Sequence, residues 1–185
     1  MNRQIRSRLS RLGSKDRMEQ HEAFLAISNA TEQQVDWAYE VWDRFVRHMT
    51  DPKNRQRGVA AKILCNLAKS DPEHRIVHDF PQLMEVTCDK RIMTARKALQ
   101  SIWRIGLEGD QELIMLLKAY EKRFKECSSE KNAALIRGDI LRGMKSLHDV
   151  HEDSRVERLA KRLIQLESDR KQRKRFLLLW RKSYE

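Results

Sequence analysis

The stretch DPKNRQRGVAAKILCNLA, Asp51 to Ala68, constrains the fold more than any other part of the chain, because its pattern recurs. Within it Val59, Ala60, Ile63, Leu64, Leu67 and Ala68 follow at three- and four-residue steps, the spacing of one helix face. A shift of 35 residues lays Ala60, Ile63, Leu64, Leu67 and Ala68 on Ala95, Ala98, Leu99, Ile102 and Trp103. A shift of 77 lays Val59, Ile63, Leu64 and Leu67 on Ile136, Ile140, Leu141 and Met144. Turns ahead of such helices fall near Asp51, Asp89, Ser128 and Asp169, at spacings of 38, 39 and 41 residues. A helix pair of that length cannot bury its apolar face alone and must stack on neighbours, which explains the recurrence.

The rest of the chain reads as helix. Val35, Ala38, Tyr39, Trp42, Phe45, Val46 and Met49 form one 3.6-residue stripe, and Leu113, Leu116, Leu117, Tyr120 and Phe124 another. No segment of any length alternates as a strand does. Thr31 with Gln34, and Ser154 with Glu157, have capping-box spacing, while Asp71-Pro72 and Asp110 look like helix starts. The expected order is a basic segment at 1–13, a capping helix at 14–28, and four helix pairs. These pair 31–50 with 54–69, 73–87 with 90–106, 110–126 with 130–148, and 154–168 with 171–184. Residues 14–185 would form one all-α domain. In the basic segment, Ile5, Leu9 and Leu12 share one side, so an amphipathic capping helix is preferred there over an Arg- and Ser-rich transit peptide.

Over about residues 31–184 the chain resembles the HEAT-repeat family. That family's second helix runs from a turn Asp to an Arg, then small residues and spaced leucines. Asp51, Arg57, Ala60, Ala61, Leu64, Leu67 and Ala68 keep that order, Asp169 and Arg175 keep the Asp-to-Arg spacing, and ALQSIWRIG ends at Gly106 as such a helix would. The resemblance implies a right-handed α-α solenoid of about four pairs, with turn Asp and helix Arg forming a ladder between neighbouring repeats. The departures are a third turn, CSSEKN, without Asp; Gln56 at a usually apolar position; and Phe80-Pro81, expected to split the first helix of the second pair.

Three cysteines, Cys65, Cys88 and Cys127, sit in or beside apolar helical stripes, odd in number and far apart, so reduced thiols and a cytoplasmic location are expected. No apolar run reaches the roughly 18–20 residues of a membrane span. Two similarities to enzymes built from helical repeats bear on activity. His21-Glu22 and His151-Glu152 are similar to the His-Glu dipeptides of di-iron hydroxylases, but two dipeptides fall short of a carboxylate-bridged metal pair. His74 with His78, and His148 with His151, lack further ligands at metal-site spacing. VDWAYEVWDRF offers Trp37, Trp42 and Asp43, similar in kind to the lesion-site residues of HEAT-like alkylpurine DNA glycosylases, though Trp42 belongs to a buried stripe. No nucleophile triad, glycine-rich phosphate loop or CxxC pair is present. The expectation is therefore no enzyme, no cofactor and no metal.

The formal net charge is +11. Residues 1–20 hold six Arg/Lys against two Asp/Glu, and residues 151–185 eleven against six, so the excess gathers at the two ends. Arg170, Lys171, Arg173, Lys174 and Arg175 form one cluster, which suits a polyanion or simply the solvated face of a terminal repeat. The 35-residue shift also carries Lys62, Asn66 and Lys69 onto Lys97, Ser101 and Arg104, off the apolar face of the second helices. In the resembled family those helices line the concave side. Asp139 and Ser146 interrupt the stripe in the third repeat, with Arg142 displaced. Together these residues suggest a binding scaffold for a macromolecular partner, a protein ranking ahead of nucleic acid, with no membrane contact and an undetermined oligomeric state.

Overall fold

A computed structural model describes residues 1–180. Among these, ten α-helices and three short 3-10 turns occur and no strand. The helices are α1 (Arg3–Arg11), α2 (Arg17–Ala30), α3 (Ala38–His48), α4 (Asn54–Leu67), α5 (Arg75–Val86), α6 (Ile92–Leu99), α7 (Asp110–Glu126), α8 (Ala133–His151), α9 (Ser154–Leu166) and α10 (Arg170–Leu179). No described helix is long and apolar enough to cross a membrane. The chain divides into two compact units, Met1–Ala98 and Leu99–Glu185.

In the first unit α3 packs on α4, α4 lies against α2 and α5, and α1 lies against α2. Its core holds Trp42, Phe45, Ile63, Leu64 and Leu67 of the expected stripes together with Ala23, Ile27, Ile76 and Leu83, each at most 1% exposed, while the stripe residues Val35, Tyr39 and Val46 are half-buried. The basic N-terminal segment contains α1, whose Leu9 is buried along with Leu12 just after its end. In the second unit α8 packs on α7, α9 and α10, and α7 on α9. Leu116, Tyr120, Phe124, Ile140, Leu141, Met144 and Leu163 form its buried centre. Asp110 and Glu112 stand in the first turn of α7 and Arg123 and Lys125 in its last, each sign opposing the helix dipole.

Several boundaries differ from expectation for identifiable reasons. Thr31 does not start a helix; it ends α2, its hydroxyl donating to the Ile27 and Ser28 carbonyls at 2.9 and 3.0 Å. Residues 32–37 form a turn instead, pinned by the Gln34 amide on the Lys69 carbonyl (2.9 Å) and by the Val35 N–H on the Ser70 hydroxyl (2.9 Å). Pro81 does not split α5. It removes one backbone bond from an exposed side, while Ile76, Phe80, Leu83 and Val86 hold the helix through the buried side. The helix expected over 90–106 breaks after Leu99 and resumes as a 3-10 turn, Ile102–Leu107. Three-residue winding puts Ile102 and Ile105 on one side, and both are fully buried. Asp153, rather than Ser154, caps α9 by accepting from the Arg155 N–H. The part of the last expected helix beyond residue 180 lies outside the described residues.

Candidate functional site

The ladder anticipated from the turn Asp and helix Arg is present in both units, with altered membership. Arg57 donates to the Asp51 carbonyl of its own turn at 2.7 Å and to the Asp89 carboxylate of the next turn at 2.6 Å. Burial alone would raise the Asp89 pKa. The Arg57 bond, the Arg91 N–H and both positive charges outweigh it and hold the carboxyl below its ordinary value. In the second unit Arg137 bonds the Phe124 carbonyl and Ser128 hydroxyl of its own turn and Glu167 of the next, the last at 2.9 Å. Thus the CSSEKN turn, lacking Asp, supplies a serine. The expected Asp169–Arg175 rung is corrected: Arg173 donates to the Glu167 carbonyl at 2.8 Å, the same six-residue step set two residues earlier, and Arg175 stays exposed. Asp169 instead caps α10 through the Gln172 N–H.

The candidate binding residues fall into three groups. Lys62 on α4 and Lys97 on α6 converge on one aromatic ring of α2, their ammonium nitrogens 5.4 and 4.7 Å from the Phe24 centroid. α4 and α6 come close at Gly58, where a Cβ would make ordinary van der Waals contact with the Lys97 side chain at 3.4 Å and Thr94 at 3.5 Å. Burial, with Arg55 and Lys62 nearby, holds Lys97 below the ordinary lysine value. The second group is engaged locally. Lys69 donates to the Glu32 carbonyl at 2.6 Å, Arg104 stacks over Trp103 at 4.8 Å, and Arg142 pairs with Asp139 at 3.0 Å. The third group is the α10 cluster, in which Arg170, Lys171, Lys174 and Arg175 are exposed and Arg173 is half-buried.

Two members of the expected polar stripe, and the Asp139 that interrupts it, are not on a surface. Asn66 and Asp139 are fully buried and Ser101 is 3% exposed. The Asn66 amide bonds the Ser28 carbonyl and the Thr31 hydroxyl at 3.2 and 3.1 Å, tying α4 to the end of α2. Asp139 accepts from Gln100 at 3.2 Å as well as from Arg142. A polar residue on a helix shared by two neighbours therefore serves the contact between them rather than a ligand. Phe24 and Arg55 went unnoticed in the sequence because one reads as core and the other as a solvated charge.

With helices assigned, a charge pattern emerges. In the helices α1, α4, α6 and α10 there is no Asp or Glu at all, while they carry four, three, two and five Arg/Lys. The only acids of α8 are Asp139, which is buried, and Asp149, which pairs with Lys145. Acids lie on α2 (Glu19, Glu22), α3 (Glu40, Asp43), α5 (Asp79, Glu85), α7 (Asp110, Glu112, Glu121, Glu126) and α9 (Glu157). One face of α1 forms a shallow groove lined by Arg3, Gln4, Ser7, Arg8 and Arg11.

Trp42 and Asp43 make structural contacts. Trp42 is fully buried, its indole N–H donating to Asp79 at 2.7 Å. Asp43 pairs with Arg75, which also stacks over Tyr39 and Trp42 at 5.1 and 5.7 Å. Trp37 is 6% exposed. His21 and Glu22 are exposed on α2, and His151 and Glu152 at the end of α8. Among the described residues no group of three His, Cys, Asp or Glu side chains could hold a metal ion. A cleft of about 210 Å³ in the second unit is lined in part by Asp110, His151, Asp153 and Arg155. There Arg155 bridges the Asp110 and Asp153 carboxylates at 2.6 and 2.7 Å.

No protein-family model matches the chain and no curated protein matches it. Among solved structures it is similar to the crystal structure of an engineered protein, a structural-genomics target, at 16% identity and a TM-score of 0.56. The match covers 97% of this chain and 78% of that one. At that identity the likeness is one of all-helical fold.

Proposed function

We propose that the chain is a non-enzymatic, HEAT-like helical-repeat scaffold that binds a macromolecular partner through its second helices, α4, α6, α8 and α10. The observation that carries this reading is the sequence separation of the bonds between elements. Gln34 to Lys69, Val35 to Ser70, Trp42 to Asp79, Arg57 to Asp89, Gln82 to Val46, Gln100 to Asp139, Arg137 to Glu167 and Arg162 to Glu121 span 30 to 41 residues. That is one helix pair each time, in both units, as stacked repeats require. The right-handed solenoid of four pairs belongs to this proposal.

Extended repeat surfaces hold partners by many shallow contacts. A pull-down from native lysate, with and without nuclease, tests the scaffold reading and sorts the partner. Retention of a defined protein after nuclease fits a protein scaffold, and loss of the bound material on nuclease treatment fits the nucleic-acid alternative. Turnover of a small substrate with no macromolecule retained would refute the scaffold itself.

A further inference from the structure

Hydrophobic packing does not require the first unit to keep acids off α1, α4 and α6 while admitting them to α2, α3 and α5. Nor does it require two ammonium groups to share one ring, an arrangement that like charges oppose. Separation of this kind persists when a surface faces a polyanion.

We propose that α1, α4 and α6 of the first unit present a sequence-independent binding surface for duplex nucleic acid, with Lys62 and Lys97 over Phe24, and Arg55 two turns before Lys62 on α4, seating the phosphate backbone. The inference rests on the scaffold reading above and names its partner. Phe24 is 9% exposed and lies under two ammonium groups, so it is a floor for the cations and not a ring on which a base could stack. Contact is therefore with phosphates, which position a duplex without reading its sequence. Arg55 and Lys62 are like charges that act on the partly buried Lys97.

The tract extends beyond one phosphate. Gln20 and Gln56 both donate their side-chain amides to the Leu12 carbonyl, at 2.9 and 3.0 Å, fixing the end of α1 to α2 and α4. Arg3, Arg6, Arg8 and Arg11 thus belong to the same body as Arg55, with Arg11 also paired to Glu19 at 3.3 Å. A single phosphate or carboxylate can neutralise the Phe24 cluster but not α1 as well. A duplex carries a charge about every 1.7 Å along its axis and can serve both.

The test is fluorescence anisotropy of the full chain on a labelled, mixed-sequence DNA duplex of about 30 base pairs, read across about 50–300 mM salt. Binding is expected to weaken on a log–log line of about −0.9 per phosphate contacted, independent of sequence. R55Q/K62Q/K97Q should weaken binding at least about tenfold near 100 mM salt and make the slope shallower by two to three units, with an unchanged helical spectrum. Because Lys97 packs on Phe24, R55Q/K62Q is the second variant, expected to make the slope shallower by about two. K62R/K97R should retain binding. Absence of saturable binding up to about 10 µM protein near 100 mM salt overturns the inference, as does a slope that neither charge-removing variant changes. Displacement of the duplex by an equimolar acidic peptide also overturns it. If no duplex binds while a nuclease-resistant protein is captured, this inference falls and the scaffold reading stands; if neither binds, both fall.

Discussion

Replacing Arg57 with Met keeps the aliphatic stem of the side chain but removes the guanidinium that bridges two turns. Asp89, its side chain 5% exposed, would then be a buried carboxylate holding the Arg91 N–H at 2.8 Å as its remaining bond among those described. Breaking a buried ion pair from one side costs about 3–5 kcal/mol. Arg57 is itself 21% exposed, so water reaches the rung, and the expected loss is smaller, about 2–3 kcal/mol. With a urea m-value of about 2 kcal/mol/M that moves the unfolding midpoint down by about 1–1.5 M. Asp89→Leu with Arg57→Met leaves no stranded charge, so the double variant should be less destabilised than the sum of the singles by at least about 1 kcal/mol. Because the folded Asp89 pKa lies below its unfolded value, the rung contributes fully above about pH 4 and its contribution is lost as pH falls through the folded value. The gap between Arg57→Met and the parent should therefore narrow in acid. A single-variant loss under about 0.5 kcal/mol, or no coupling in the cycle, would refute the ladder as a structural tie.

Gly143→Ala should destabilise by about 1–3 kcal/mol, because the new Cβ would lie 2.5 Å from the hydroxyl of the fully buried Tyr120 and 3.4 Å from the Trp103 Cβ; thermal unfolding measures it. Burial and the charge of Arg44 lower the His48 pKa, so the folded state resists its protonation. Stability should fall as pH drops from 7 towards the folded value, and His48→Gln should flatten that dependence in urea titrations. Chelator should leave the melting temperature within about 1 °C, whereas a structural ion would have contributed folding free energy; elemental analysis of the purified chain checks the same point.

The apolar stripes made the helices legible because each position needs only its neighbours three and four residues away. Leu113, Leu116, Leu117, Tyr120 and Phe124 are all buried on α7, and α7 has the bounds that periodicity gives it. Where a residue's role depends on another element, local reading went astray. Thr31 has the spacing of an N-cap, yet the bonds that Gln34 and Val35 make 35 residues away turn that stretch into a loop. Asn66 and Ser101 look like stripe residues, and neighbouring helices bury them. The binding candidates show the same division: the shift that paired Lys62 with Lys97 identified two cations that do meet, but not the ring beneath them.

The sequence by itself determined an all-helical chain, the repeating stripes and the turns near 51, 89, 128 and 169, since periodicity and turn chemistry act over a few residues. Only the tertiary structure decided that Lys62 and Lys97 share Phe24, that Asp139 is buried against Gln100 and Arg142, and that Arg173 rather than Arg175 reaches the Glu167 carbonyl. Those outcomes depend on how far one helix slides and rotates against the next. A displacement of a residue or two preserves the hydrophobic stripe but changes which polar groups face each other.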